Sequence, residues 1–295
     1  MNTGILYALG AYLIWGLLPL YLHVLAPVGT IEILAHRIVW SLATVAVLLV
    51  ALRRLSWIGP ALRRPATLLP FVATATLISC NWIIYIWSIN SGHVIDSSLG
   101  YFINPLVNVL LGALLLKERL RLGQKVPVAV AGIGVAWLTW QAGAPPWIGL
   151  ALALSFSLYG LLRKTASLGA LEGFTVEAAV LTPIAMGYLA WEQAQGSVGF
   201  SHASSALRIL LVGAGPVTAI PLLLFAAGAR RIPFSLLGVL QYLAPTIQWL
   251  SGIFFFREPF DPHKSVGFGL IWLALLLYAA ESLWFGRWVS RNSTA

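Results

Sequence analysis

The chain has 295 residues, 59% of them hydrophobic and only 9% charged, with a mean hydropathy of +0.88 and a net charge of +9. A soluble domain carries about 25% charged residues, so these figures exclude a soluble globular protein, a disordered chain and a disulfide scaffold. The single Cys80 excludes an intrachain disulfide and a cysteine metal cluster.

A multi-spanning membrane protein remains, and a membrane helix needs roughly 20 mostly apolar residues. Ten stretches qualify: about 3–25, 31–52, 66–90, 94–116, 125–142, 146–164, 173–191, 206–228, 232–256 and 264–285. The first lacks a basic leader and is too long for a cleaved signal, so it is expected to persist as a helix. The seventh is interrupted by Glu177, Thr182 and Pro183. With the N-terminus inside, 14 of the 18 Lys and Arg fall in connections on one face, Arg163 and Lys164 among them. Three (Arg208, Arg257 and Lys264) fall on the other, and Arg37 lies within a span. Basic residues favour the cytoplasmic side, so both termini are expected there. The positive charge thereby encodes orientation, and nucleic acid is not an expected partner.

The sequence repeats at an offset near 140. Leu99–Glu118 aligns without a gap on Val239–Glu258: Pro105 meets Pro245, Gly112 meets Gly252, Asn108 meets Gln248, and Lys117-Glu118 meets Arg257-Glu258. Trp15-Gly16 matches Tyr159-Gly160, and Thr30-Ile31-Glu32 matches Thr175-Val176-Glu177. Two units of five spans, 3–142 and 146–286, must run in opposite orientations. The expected fold is all-α, ten transmembrane helices in two inverted repeats. Proline breaks in matching positions point to a transporter's binding site. Pro105 and Pro245 are therefore expected helix breaks near mid-depth.

Polar residues inside apolar spans are costly and face inward. Glu32, His36 and Arg37 lie in the outer third of the second span. Arg37 either meets a substrate carboxylate or pairs with Glu32 or Asp96, and His36 is a candidate proton carrier. Asn81 and Tyr85 share a face of the third span, beside Trp82. Tyr101, Asn104 and Asn108 share one of the fourth, and Gln241, Tyr242 and Gln248 occupy the ninth. Uncharged hydrogen-bonding groups among aromatic faces suit a zwitterionic or amphipathic small molecule. The alternative for each is a bond between helices. Glu177 and Glu281 are expected to reach water near the cytoplasmic ends. Asp96 or Ser97 reads as a helix cap, with His93 just before it. Gly132-x-Gly134 and Gly213-x-Gly215 follow no strand and read as close helix packing.

The runs His36–Ser41, Asn81–Asn90 and His93–Pro105 resemble the RarD branch of EamA-type transporters, within the drug/metabolite transporter superfamily. The likeness covers almost the whole chain. It implies a ten-helix fold from a duplicated five-helix unit, a central cavity shared by both halves, and residence in the bacterial inner membrane. It also implies export of amino acids and related metabolites, as in YddG-like exporters of aromatic amino acids, or of drugs of the amphenicol type. The expected activity is secondary transport by alternating access, either coupled to protons or facilitative. No catalytic residue, metal or cofactor is called for. The expected partners are an amino-acid-like substrate and the lipid bilayer, and a monomer suffices. A channel would need a continuous polar lining, and an intramembrane enzyme a clustered reactive set; neither pattern is present.

Overall fold

The computed structural model describes residues 2–90, 94–142, 147–196, 199–255 and 262–292. His93, and the side chains of Asp96 and Ser97, lie outside the described residues. All regular structure among the described residues is helical. The helices are α1 (Thr3–Val24), α2 (Thr30–Ala51), α3 (Ile58–Leu62), α4 (Pro65–Asn90), α5 (Val94–Leu114), α6 (Leu122–Ala142) and α7 (Trp147–Thr165). They continue with α8 (Ala170–Ala194), α9 (Gly199–His202), α10 (Ser205–Ala229), α11 (Phe234–Gln241), α12 (Leu243–Phe254) and α13 (Pro262–Asn292).

The ten stretches expected from the sequence fall on α1, α2, α4, α5, α6, α7, α8, α10, the α11–α12 pair and α13. Helices α3 and α9 are short connectors. Six described helices are long and apolar enough to cross a membrane: α1, α2, α4, α6, α8 and α10. The interrupted seventh stretch is nonetheless one continuous helix, α8, with Pro183 inside it.

The two expected proline breaks differ. Pro245 stands just after the junction of α11 and α12, where regular helix gives way at Tyr242. A proline ring clashes with the carbonyl four residues earlier, here that of Gln241. Pro105 lies within an unbroken α5. Its carbonyl is instead covered by α11, because a side-chain Cβ at Gly238 would come within 2.6 Å of the Pro105 oxygen. Only glycine lets the two helices approach this closely.

The end of α5 is shaped by Glu118. The chain reverses at Lys117, which adopts a φ of 55°. Glu118 then folds back, its N–H donating to Gly112 O at 2.9 Å. Its carboxylate accepts the N–H groups of Phe234 at 2.6 Å and Ser235 at 2.9 Å, and the Ser235 hydroxyl at 2.8 Å. Those amides open α11, where the first N–H groups lack helical partners and the helix dipole favours negative charge. Gly112 provides the room, since a Cβ there would sit 2.8 Å from Glu118 Oε2.

Helix packing alternates between the halves of the chain. α1 packs on α10 and on α12, α4 on α7 and α8, α2 on α8 and α10, α5 on α7 and α11, and α6 on α13. The largest buried apolar cluster draws Tyr12, Val45 and Ile78 from the first half and Tyr159, Phe225 and Leu237 from the second.

Glu118→Ala strands two buried amides. An unpartnered buried donor costs about 1–3 kcal/mol, so the melting temperature of the purified protein in detergent should fall by several degrees. Glu118→Gln, which keeps an acceptor, should lose less. An unchanged melting temperature in Glu118→Ala would contradict the cap.

Candidate functional site

A cavity of about 180 Å³ lies between the two halves. Helices α1, α2, α4, α5, α7, α10, α11 and α12 all contribute to its wall. Among the residues expected from the sequence, Arg37, Asn81, Tyr85, Tyr101, Asn104, Gln241, Pro245 and Gln248 line it.

Several of these carry internal bonds as well. Asn81 Nδ2 donates to Leu152 O and Ser155 Oγ, both at 2.9 Å, which uses both of its protons and leaves Oδ1 as an acceptor. Asn104 Nδ2 donates to Ala153 O and Ser157 Oγ, both at 2.8 Å. Gln248 Nε2 donates to Trp15 O at 3.0 Å, again leaving an oxygen. Tyr85 and Tyr101 meet edge to face with ring centroids 6.0 Å apart. Among the described residues, the wall therefore offers amide oxygens, phenols and aromatic faces together with one cation, Arg37.

Arg37 is half-buried on α2. Its Nε donates to Thr218 Oγ1 on α10 at 2.9 Å, and its guanidinium carbon lies 5.4 Å from the Trp82 ring centroid. Of the two alternative pairings, the one with Glu32 is absent among the described residues, and the one with Asp96 involves a side chain outside them. The Glu32 carboxylate accepts the N–H groups of Gly199 at 3.0 Å and Phe200 at 2.9 Å. Backbone donors opening α9 outcompete a guanidinium that lies on another face of the same helix.

Three expected contacts lie off the wall. His36 is buried, stacked on Phe200 at 4.9 Å, and accepts from Trp40 Nε1 through Nδ1 at 3.3 Å. Asn108 is wholly buried and donates to Asn104 Oδ1 at 3.3 Å and Gln241 Oε1 at 2.9 Å. Tyr242 donates to Phe102 O at 3.3 Å. Sequence position put each on the right helix but not at the right rotation. Pro105 is also off the wall, under Gly238.

The wall also contains residues that polar patterning missed: Tyr12, Trp15, Phe156 and Thr218. Trp15 was visible only as a mark of the repeat. Thr218 sits in one of the most apolar helices, where a lone hydroxyl carries no signal.

Trp15 and Phe156 of the wall continue into a layer of packed aromatic rings. Trp15 and Phe156 meet edge to face at 5.6 Å, Phe156 lies 5.3 Å from Phe225, and Tyr159 stacks on Phe225 at 6.2 Å. Tyr12, alongside, donates to Leu237 O at 3.0 Å. Beyond this layer is a buried charged cluster. Glu177, 1% exposed, lies 3.4 Å from Arg163 Nε, accepts from Thr74 Oγ1 at 2.6 Å and from Tyr159 OH at 3.3 Å. Arg163 NH2 donates to Ala170 O at 2.8 Å, and its guanidinium lies 5.4 Å from the Phe71 ring centroid. Glu177 thus does not reach water as expected, and Arg163, counted among connecting basic residues, is interior. α4 packs over both and seals them. Glu281 is paired with Arg121 at 2.9 Å.

Removing one partner of a buried ion pair costs about 3–5 kcal/mol, because the other charge is stranded. Arg163→Met should therefore lower the melting temperature sharply. Adding Glu177→Gln to Arg163→Met should recover a measurable part of it. A double variant no more stable than the single one would show that the charges are not coupled.

With the geometry in place, comparison with known proteins gives a consistent picture. The EamA-like transporter family profile matches residues 2–140. The protein RarD of Streptomyces exfoliatus is 48% identical over 96% of this chain and 90% of its own length. A chloramphenicol-sensitive protein RarD of Pseudomonas aeruginosa is 35% identical, covering 95% of each chain. One crystal structure superposes with a TM-score of 0.66 at 19% identity, over 94% of this chain and 97% of the other, which establishes a shared fold.

Proposed function

The chain belongs to the EamA-like transporter family, in its RarD branch, and from that premise we propose that it exports small amphipathic metabolites, amino acids foremost, across the bacterial inner membrane by alternating access. The family makes it a multi-pass membrane transporter. The observation that carries the rest is the cavity between the two halves, walled by uncharged hydrogen-bonding groups and aromatic rings with, among the described residues, a single cation at Arg37.

Ten crossings in two inverted repeats are supported by the packing pattern. Exchanging each helix for its counterpart at an offset near 140 converts α1–α10 contact into α7–α4 contact, α2–α10 into α8–α4, and α5–α7 into α12–α1. The pairs α2–α8, α5–α11 and α6–α13 map onto themselves. With the N-terminus cytoplasmic, the aromatic layer and the Arg163–Glu177 pair lie between the cavity and the cytoplasm. This conformer is then closed to the inside, and loading of an exported substrate requires that layer to part.

Amide oxygens at Asn81 and Gln248 suit an ammonium group, and Trp15 and Phe156 suit an apolar side chain. An amphenicol is the second reading, favoured by the name of the Pseudomonas relative.

Counterflow of labelled amino acids and amphenicols in proteoliposomes tests both readings. Tyr101→Ala removes a wall residue with an exposed ring. It should lower transport by about tenfold, the equivalent of some 1.4 kcal/mol, with little change in melting temperature. Absence of counterflow for every compound in the wild type would defeat the proposal.

A further inference from the structure

Arg37 is a cation inside an apolar bundle, and such a group is expensive unless something answers its charge. Its own helix does not. Glu32, five residues earlier, is committed to the amides of Gly199 and Phe200. Glu177 is committed to Arg163, Thr74 and Tyr159. Among the described residues, no carboxylate forms an ion pair with Arg37.

What holds Arg37 leaves part of it unused. Thr218 takes the Nε proton at 2.9 Å. The Trp82 ring lies against the guanidinium, 5.4 Å from centroid to carbon. One edge donor and one face are thereby occupied, and Arg37 lines the cavity. The end-on pair of terminal nitrogens remains, and a guanidinium edge fits a carboxylate with two parallel hydrogen bonds. A neutral amide or hydroxyl in the same place would accept at most one good bond and leave the charge unanswered.

We propose that Thr218 is a positioning residue for a carboxylate anchor at Arg37, and that the substrates of this chain are small molecules bearing a free carboxylate. This rests on the transporter reading above and narrows it. Thr218 comes from α10 and Arg37 from α2, so the anchor is assembled across the two halves of the chain. Its aim depends on a hydroxyl, since Thr218 offers the acceptor and has no charge of its own. A valine keeps the shape of the side chain and removes that acceptor.

The test compares L-phenylalanine, L-phenylalaninamide and chloramphenicol as probes in proteoliposomes of the full chain. The wild type should favour the acid over its amide by about tenfold or more in apparent kcat/KM, with chloramphenicol among the poor probes. Thr218→Val should collapse that ratio mainly through the KM of the acid, and Thr218→Ser should restore it. Arg37→Lys, which keeps the charge but loses the fork, should lower the ratio independently of whether Thr218→Val folds. Equal transport of acid and amide by the wild type overturns the anchor while leaving the transporter reading intact. A Thr218→Val variant that slows acid and amide alike overturns the positioning role. Failure of all three probes in the wild type overturns both the anchor and the amphipathic-substrate reading.

Discussion

Hydrocarbon offers no hydrogen bonds, so every polar group carried into the bundle must find its partner inside the protein. Here most such partners lie in the other half of the chain. Asn81 bonds Leu152 and Ser155, Asn104 bonds Ala153 and Ser157, and Asn108 bonds Gln241. Thr74 reaches Glu177, Arg37 reaches Thr218, and Glu118 caps α11. Tyr12 and Gln248 close the set through the carbonyls of Leu237 and Trp15. Sequence separation in these bonds runs from 49 to 233 residues, so polar satisfaction and assembly of the halves are the same event.

That arrangement has a mechanical consequence. Interhelical bonds in membranes average only about 0.6 kcal/mol, so a seam of them can be exchanged piece by piece. The buried Arg163–Glu177 pair differs, because its two charges must stay together or both meet water. Both sit on adjacent helices of one half, α7 and α8, and face Phe71 and Thr74 of α4. If the proposed alternating access withdraws α4, the pair can travel as a neutral unit. On the opposite side the Glu32 carboxylate holds the short α9 by its amides, a contact between helix and connector. The Arg163–Glu177 cluster and the Glu32 contact thus satisfy buried carboxylates by different chemistry, a guanidinium in one and backbone amides in the other.

Hydropathy located the helical stretches, because membrane-length apolar runs leave few alternatives. Pro245 was legible as a break, since its ring acts within its own helix. Pro105 looked the same in the sequence, yet α5 continues through it. Its surroundings are set by Gly238, more than a hundred residues away. Glu177 was misread for a related reason. A glutamate in an apolar span reads as reaching for water, and only tertiary packing brings Thr74, Tyr159 and Arg163 onto it. His36, Asn108 and Tyr242 show that period alone fixes a shared face, while neighbouring helices decide which way that face turns. Thr218 was invisible because its role comes from the arginine it meets.

Alternating access requires that one cavity, shared by both halves, open in turn to each side. It is tested most directly by the accessibility of a single cysteine on the cavity wall. Ala244 lines the cavity, and the free, exposed Cys80 would first be replaced by serine. The Ala244→Cys protein, in vesicles of known orientation, would be exposed to a membrane-impermeant maleimide from one face and then from the other. Alternating access gives labelling from both faces, with a transported substrate shifting the ratio between them. Labelling from one face only, whatever substrate is present, would contradict it.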